Sequence, residues 1–600
     1  MAGTFGLLAT RNPSIQETGF RALMNAVASL LALGQTIDVL PKQAKAKPIL
    51  WGLAFVPVLP YLANLASISM SQSQGVTQIE SHPVEVLIRE AKADFENMLQ
   101  NQSKSYAEAY DEYQRRYGYE PPYGFEEWYN FAKSHQSPII DEFDGIFESV
   151  SPFLRLSGQG VLDVMTQVYS LPEHELWRCT MSGHPSKKTY CSHPRRSFDR
   201  NVSKFLDKLF KKLPQLSLNV KLLINHLDEP AVIIPPPGQD PRSVNLTNLA
   251  GQRSWDTLTK YCSARRTTSV SSERKPPVET YGLPFLTDRR AAIDLCAHPE
   301  YASMHGFLLA PESLKLIEGL VPVLSTGAPS TMGDILYPLA AYTQDPSFKY
   351  DRTQDVDWDK KRNALYWAGS NTGGRGSSSS SSFSVQGEGG EDATGPIWRL
   401  FHRQRFVELA QNLKSRTYYY LRSNDNIITR VSSSFLNSRL YSVAFARIFQ
   451  CSESRSRACR DQRAYFRQKP WTETDRPLFR SKLVFDLDGN GISGRWYKLL
   501  ASKSTPLKQT IFREWHDERL APWVHYVPVS QSMDELPELV HYLTSTKSGR
   551  ERAREIAEQG RHWFGKAFRE IDMAIYVYRL LLELARLQDP DRPTIEFDVG

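Results

Sequence analysis

The residues best suited to chemistry fall in one stretch, Lys482 to Val529. Residues 483–487 are apolar-rich and read as a short strand. The run ends in Asp488-Gly489-Asn490-Gly491, which favours a tight turn. Ser493, Gly494 and Arg495 follow, ahead of a short helical pattern over 496–502. A strand, a glycine turn, a cation and a helix start are the parts of a phosphate site at the carboxyl end of an open α/β sheet. Glycine lets backbone N–H groups approach the anion, and the cation offsets its charge. Asp486 and Asp488 admit other readings. With Asn490 and Gly491 they imitate the first half of an EF-hand calcium loop. Tyr497 stands where the closing glutamate would be, and a phenol cannot supply a bidentate carboxylate. Two positions apart on a strand, the two carboxylates point to one side and could hold a divalent metal on a nucleotide sugar. The plainest alternative is a turn in which Asp488 bonds its own backbone.

Other strand ends carry further candidates. Residues 221–225 (KLLIN) read as a buried strand, followed by His226-Leu227-Asp228-Glu229-Pro230, where proline ends the strand and fixes the loop. Asp228 thus stands at a carboxyl end, where α/β proteins keep their sites, although its type alone fits a cap or turn better. Residues 364–367 read as a strand ending near Gly369 and Ser370. Such a glycine permits close backbone approach, and a serine can donate to a phosphate oxygen. Between these blocks, VPVLSTGAPSTMGDILYP places Asp334 and Tyr337 after a short strand; the tyrosine suits sugar stacking and core packing equally.

KLVFDLDGNGISGRWYKLL and LAPWVHYVPV, at 482–500 and 520–529, resemble the signature of the capsule-associated and Rumi-like protein O-glucosyltransferase family, which includes fungal-type β-1,2-xylosyltransferases. The similarity takes in the earlier blocks and runs over 221–584 with gaps. It implies an α/β fold of the GT-B type, with two Rossmann-like domains facing a cleft. It implies an inverting glycosyltransferase that moves a sugar, glucose or xylose, from a UDP-sugar to a hydroxyl of a glycan or protein. It carries the family's catalytic base onto Asp228 and donor contacts onto Gly369, Ser370, Asp488, Gly489, Ser493 and Arg495. Asp334 and Tyr337 would line the cleft. It implies no metal and no cofactor besides the UDP-sugar substrate. The family usually has an arginine just after the serine; here Asn371 stands there, and Arg375 is the nearest following cation. Three alternatives stay open: a metal-dependent GT-A transferase using Asp486 and Asp488, a catalytically inactive carbohydrate-binding membrane protein of the same fold, and a structural membrane-stem protein in which the similarity is only to fold.

The rest of the chain sets the context. Its 73 basic and 66 acidic residues give a net charge of +7. That is mild, and no zinc-finger or RNA-binding motif accompanies it, so no nucleic-acid partner is expected. Residues 48–79 contain no charged side chain, and 49–70 are long enough to cross a bilayer. Lys42, Lys45 and Lys47 precede them, which puts the large C-terminal part in the lumen of a secretory-pathway membrane, Golgi or ER. The expected organisation is an anchor region over 1–75, a stem and helical lead-in over 76–200, and a first Rossmann-like domain over 201–355. A second follows over 356–560, with a Gly/Ser-rich insertion at 373–395, and a C-terminal helix over 561–600 returns to the first. Within this last part, 563–587 read as one long amphipathic helix. Residues 415–480 are rich in arginine and aromatics without a clear period. Six cysteines form no CxxC, which argues against zinc. Cys179–Cys191 and Cys451–Cys459 are close enough for local bridges, with free buried thiols as the alternative.

Overall fold

The computed structural model describes residues 77–78, 81–181, 188–214, 219–265, 278–376, 382–386, 392–424, 427–451, 456–469 and 475–595. The expected membrane segment, 49–70, lies outside them. Among the described residues no helix is long and apolar enough to cross a membrane.

Two five-stranded sheets organise the chain. The first is built from Leu176–Met181 (β1), Tyr190–Ser192 (β2), Val220–Asn225 (β3), Val323–Ser325 (β4) and Ile335–Leu336 (β5), in the order β2-β1-β3-β4-β5. Its strands β3, β4 and β5 are parallel, and β1 runs antiparallel to β2 and β3. The second contains Arg362–Ser370 (β6), Tyr441–Arg447 (β7), Ser481–Leu487 (β8), Thr505–Gln509 (β9) and Val527–Pro528 (β10), ordered β7-β6-β8-β9-β10 and parallel throughout. Strand β8, SKLVFDL, is buried at every position. That is what an apolar run does at the centre of a parallel sheet covered on both faces. The chain is therefore α/β with parallel sheets.

Helices cover the sheets: Pro83–Gln100 (α1), Phe125–Ser134 (α2), Val202–Phe210 (α3), His402–Ala410 (α4), Lys547–Ala567 (α5) and Glu570–Leu587 (α6) are those used below. Helix α6 is apolar on nearly all sides and buried on nearly all sides. It packs on α2, α3 and β3, and the Trp128 indole of α2 donates to the Ile575 carbonyl at 3.0 Å.

Several expectations come out differently. Residues 81–200 are packed into the body rather than drawn out as a stem. Helix α1 gives Val84, Leu87 and Ile88 to the core around the second sheet, while Trp128 and Tyr129 of α2 sit in the core around the first. The expected boundary at 200/201 falls inside the first sheet, between β1 and its partner β3. The helix over 563–587 is two helices. The chain turns at Phe568–Arg569, where the Asp572 carboxylate accepts from the Arg569 backbone N–H at 2.8 Å and from its guanidinium, and starts α6 afresh. Inside the Gly/Ser-rich insertion, Ser382–Gln386 pairs antiparallel with Asp392–Pro396. All six cysteines are bridged: Cys179–Cys191, Cys451–Cys459 and also Cys262–Cys296. The first joins residues directly opposite each other on β1 and β2.

Candidate active site

Strand β3 ends at Asn225, and the next residues form a braced loop. Asn225 accepts from Leu227 N at 3.0 Å and donates to the Glu229 carbonyl at 2.6 Å. The Glu229 carboxylate receives Ser313 N and Oγ at 2.9 and 2.8 Å. Asp334, fully buried, takes Ala231 N at 2.7 Å, Val232 N at 2.9 Å and Ser325 Oγ at 2.6 Å. Burial outweighs these bonds and pushes the Asp334 carboxyl up to about 6. With its neighbours fixed, Asp228 points outward. Its side chain is 53% exposed, and Oδ1 accepts from Arg200 Nη1 at 2.5 Å.

Strand β8 ends in the glycine turn. Gly489 N donates to Gly491 O at 2.8 Å. Asn490 Oδ1 accepts Gly373 N at 2.9 Å and Gln450 Nε2 at 2.7 Å, tying the turn to the loop after β6. Gly373 has φ 110°, and a Cβ there would lie 2.4 Å from His402 Cε1, so both backbone and space demand glycine. Arg403, at the start of α4, joins the two strand ends. Its guanidinium donates to the carbonyls of Leu487, Asp488 and Ser370 at 3.1, 2.6 and 3.0 Å and to Thr372 Oγ1 at 2.5 Å. Arg495 donates to the Ala368 carbonyl at 2.7 Å. Gly369 makes room for it, since a Cβ there would lie 2.8 Å from Arg495 Nη2. Burial, and then the like charge of Arg495, pull the Arg403 guanidinium down to about 9. Two neighbouring cations therefore stand at the carboxyl ends of β6 and β8.

These two loops meet. A Cβ on Gly491 would lie 1.9 Å from the Asp228 carbonyl oxygen, so the glycine turn sits directly on the backbone of the Asp228 loop. Around this contact, Ala328 and Arg513 exchange backbone hydrogen bonds of 3.1 and 2.8 Å. Arg375 N, just after β6, donates to the Ala310 carbonyl at 2.7 Å. The carboxyl ends of the two sheets thus converge, with an exposed carboxylate from one and two arginines from the other.

The remaining sequence candidates take other roles. Asp488 is 2% exposed, and its Oδ2 accepts Ile511 N at 2.9 Å. Its carboxylate is a brace between β8 and the end of β9, not a donor contact. His305 Nε2 lies 3.3 Å from the same oxygen, and the His305 ring stacks on His402 at 3.7 Å. Ser493 is buried, 4% exposed. Asp486 faces Lys508 across β8 and β9, Oδ2 to Nζ 3.2 Å, and Lys508 also bonds Glu514 at 2.9 Å. Asp486 and Asp488 are thus engaged by separate partners. Asp334 and Tyr337 do not line an open cleft. Asp334 is the buried brace described above, and Tyr337, 3% exposed, packs in the first core. Asn371 is buried, bonding Phe449 N and Gln450 N at 2.9 and 3.1 Å, so it replaces no phosphate-binding arginine. Ser370 is half-buried, and its hydroxyl lies 3.2 Å from Thr372 Oγ1. Gly489, also half-buried, would carry a Cβ 3.5 Å from Arg403 Nη2. Ser370, Gly489 and Arg495 are the donor-side candidates left, half-buried at the carboxyl ends of β6 and β8.

Two residues escaped the sequence reading. Arg403 lies in a stretch that is visibly basic and helical, but which arginine turns inward is set by the helix starting at His402. Arg200 is brought to Asp228 by the left-handed backbone of Arg200 and Asn201, φ 52° and 63°, just ahead of α3.

Residues 411–597 match the sequence model of glycosyl transferase family 90. The match includes residues 415–480, where periodicity is silent, and leaves Asp228, Gly369 and Ser370 outside it. Protein O-glucosyltransferase 3 of Rattus norvegicus is 30% identical over 112 residues, 18% of this chain and 22% of the relative. The chain therefore spans about a fifth of the length of that curated relative in the similarity. Both matches are to glycosyltransferases.

Proposed function

We propose that this chain is an inverting, metal-independent glycosyltransferase of the GT-B type that moves glucose or xylose from a UDP-sugar to a hydroxyl of a glycan or protein. Its sheets would be the cores of two Rossmann-like domains, acceptor side first and donor side second. The protein would work in the lumen of the Golgi or ER, anchored by 49–70. The observation that carries this reading is the contact of Gly491 with the Asp228 backbone. It brings the one exposed strand-end carboxylate among the candidates to the edge of a glycine turn flanked by arginines.

In this scheme Asp228 takes the proton of the acceptor hydroxyl while that oxygen bonds to the anomeric carbon. The bond from that carbon to the UDP oxygen breaks on the opposite face, and its electron pair leaves with UDP, so the configuration inverts. Arg200 holds Oδ1 and orients the carboxylate. Arg495 and the buried charge of Arg403 offset the charge growing on the diphosphate, the contribution that usually dominates such catalysis. Backbone groups of the glycine turn and Ser370 would meet its oxygens.

A UDP-sugar turnover screen, with and without chelator, tests the assignment. Transfer or hydrolysis that survives chelation is expected. Turnover that chelation abolishes and manganese restores would favour the GT-A alternative, and sugar binding without any turnover the inactive one. Arg495→Ala should weaken UDP binding by roughly ten- to a hundredfold as well as the rate. Unchanged UDP binding in calorimetry removes the phosphate role.

A further inference from the structure

His226 lies on the same loop as Asp228 and is the first residue after β3. Its backbone N–H donates to the Glu175 carbonyl at 2.8 Å. Its ring is fixed from behind: Nδ1 accepts the indole N–H of Trp177 at 3.0 Å. Trp177 is itself held on β1, opposite Ile224 of β3, and is 5% exposed. An imidazole that accepts at Nδ1 carries its proton on Nε2. Among the described residues Nε2 has no hydrogen-bond partner, and the ring is only half-buried. Burial first, then the charges of Arg200 and Arg196, hold the imidazole down at about 4; Glu175 acts in the opposite sense and His193 adds slightly to the lowering. The ring is therefore a neutral donor at any ordinary pH. Arg200 acts on both groups, pairing with Asp228 and depressing His226, and the two residues stand two positions apart on one loop. Nearby on the Arg200 loop, Phe198 is 60% exposed.

We infer that His226 is an acceptor-binding residue whose Nε2–H donates to an oxygen neighbouring the hydroxyl that Asp228 deprotonates, and that Trp177 positions it by fixing the tautomer. Two adjacent oxygens presented together are the mark of a sugar with vicinal hydroxyls, so the acceptor is a glycan. An isolated serine or threonine hydroxyl offers no second oxygen on the adjoining carbon. This rests on the glycosyltransferase assignment and on Asp228 as its base.

The experiment compares His226→Phe, His226→Gln and Trp177→Phe in the full chain. Glycosyl transfer to simple methyl glycosides is measured beside hydrolysis of the same UDP-sugar by water, which needs no acceptor. His226→Phe should raise the acceptor KM roughly tenfold, the loss of one hydrogen bond, with hydrolysis unchanged. His226→Gln, whose amide supplies an N–H at the matching distance, should stay within about twofold of the native enzyme, and Trp177→Phe should fall between. A merely structural residue would lower hydrolysis along with transfer, and a parallel fall of both in all three variants overturns the inference. An unchanged acceptor KM in His226→Phe overturns it too, as does transfer confined to hydroxyl peptides. If the native enzyme turns over no UDP-sugar at all, the underlying assignment fails first and this inference with it.

Discussion

Asp228 and Asp488 occupy matching places, each just past the carboxyl end of an interior strand, β3 in one sheet and β8 in the other. They are used in opposite ways. Asp488 is 2% exposed and spends an oxygen on a backbone N–H, whereas the Asp228 side chain is 53% exposed and meets only Arg200 among the described residues. The block around Asp488 is the more recognisable in sequence, and the structure supplies a reason. Its residues are constrained by burial and by their partners: Asp486 by Lys508, Asp488 by Ile511. Asp228 is constrained only through its neighbours. A side chain that must reach a substrate cannot also be locked into a core, so the group best placed for chemistry has the weaker sequence signal.

Exchanging each aspartate for asparagine should separate the two roles most strongly. Asp228→Asn removes a basic oxygen and little else. Turnover should fall by roughly 10²–10⁴, the usual weight of a general base, with melting temperature and UDP affinity nearly unchanged. Asp488→Asn should show the reverse, a lowered melting temperature outweighing any direct effect on the rate. Near-native turnover by the Asp228→Asn protein would remove the proposed base.

Arg403 tests whether the second strand-end region is architecture or binding surface. Its guanidinium serves three carbonyls and a hydroxyl from two strand ends, and a lysine ammonium cannot reach them all. Arg403→Lys leaves buried acceptors unmet and should destabilise the protein by about 3 kcal/mol or more, measured by denaturant unfolding. UDP binding should weaken with it. Full stability with reduced UDP affinity would instead make Arg403 purely a ligand group.

Gly491→Ala addresses the contact between the regions. The added methyl meets the Asp228 carbonyl at 1.9 Å, so one loop must shift. Overpacking of this kind costs about 1–3 kcal/mol. Transfer should suffer more than stability, because the shift separates base from donor site. Native turnover in this variant would mean that the two loops need not touch during the reaction.

The same contrast explains how far sequence carried. Strand β8, the glycine turn and β3 were readable because continuous apolar runs end in turn residues. Two local disulfides were allowed by spacing, with free thiols left as the alternative. Cys262–Cys296 was not among them, since 34 residues separate the pair and only the fold brings them together. Strand β7 escaped because only Val443, Ala444 and Phe445 are buried, too few positions to show a period. The resemblance implied a cleft position for Asp334; its bonds to Ala231 N and Val232 N are long-range and leave no local trace.

Buried and exposed carboxylates should also differ in what pH does to them, and Glu518 offers the cleanest case. It is enclosed beside Asp144 and Glu142, with Gly145 N donating to Oε1 at 2.6 Å. Burial first, then the Asp144 charge, push its carboxyl up to about 7 from an ordinary 4.5. Between those values the native state keeps a proton that the unfolded chain releases. Stability from this group is therefore fully present below about pH 4.5 and is lost as pH rises through about 7. The slope for one proton is at most about 1.4 kcal/mol per pH unit. Glu518→Gln keeps the bond from Gly145 and removes the proton, so its stability relative to the native protein should rise across that window and stay level above it. Unfolding curves of both proteins from pH 4 to 8 measure the difference. A constant difference would mean that Glu518 is already ionised in the fold. Asp228, with its side chain 53% exposed, should leave no comparable mark on stability when changed to asparagine.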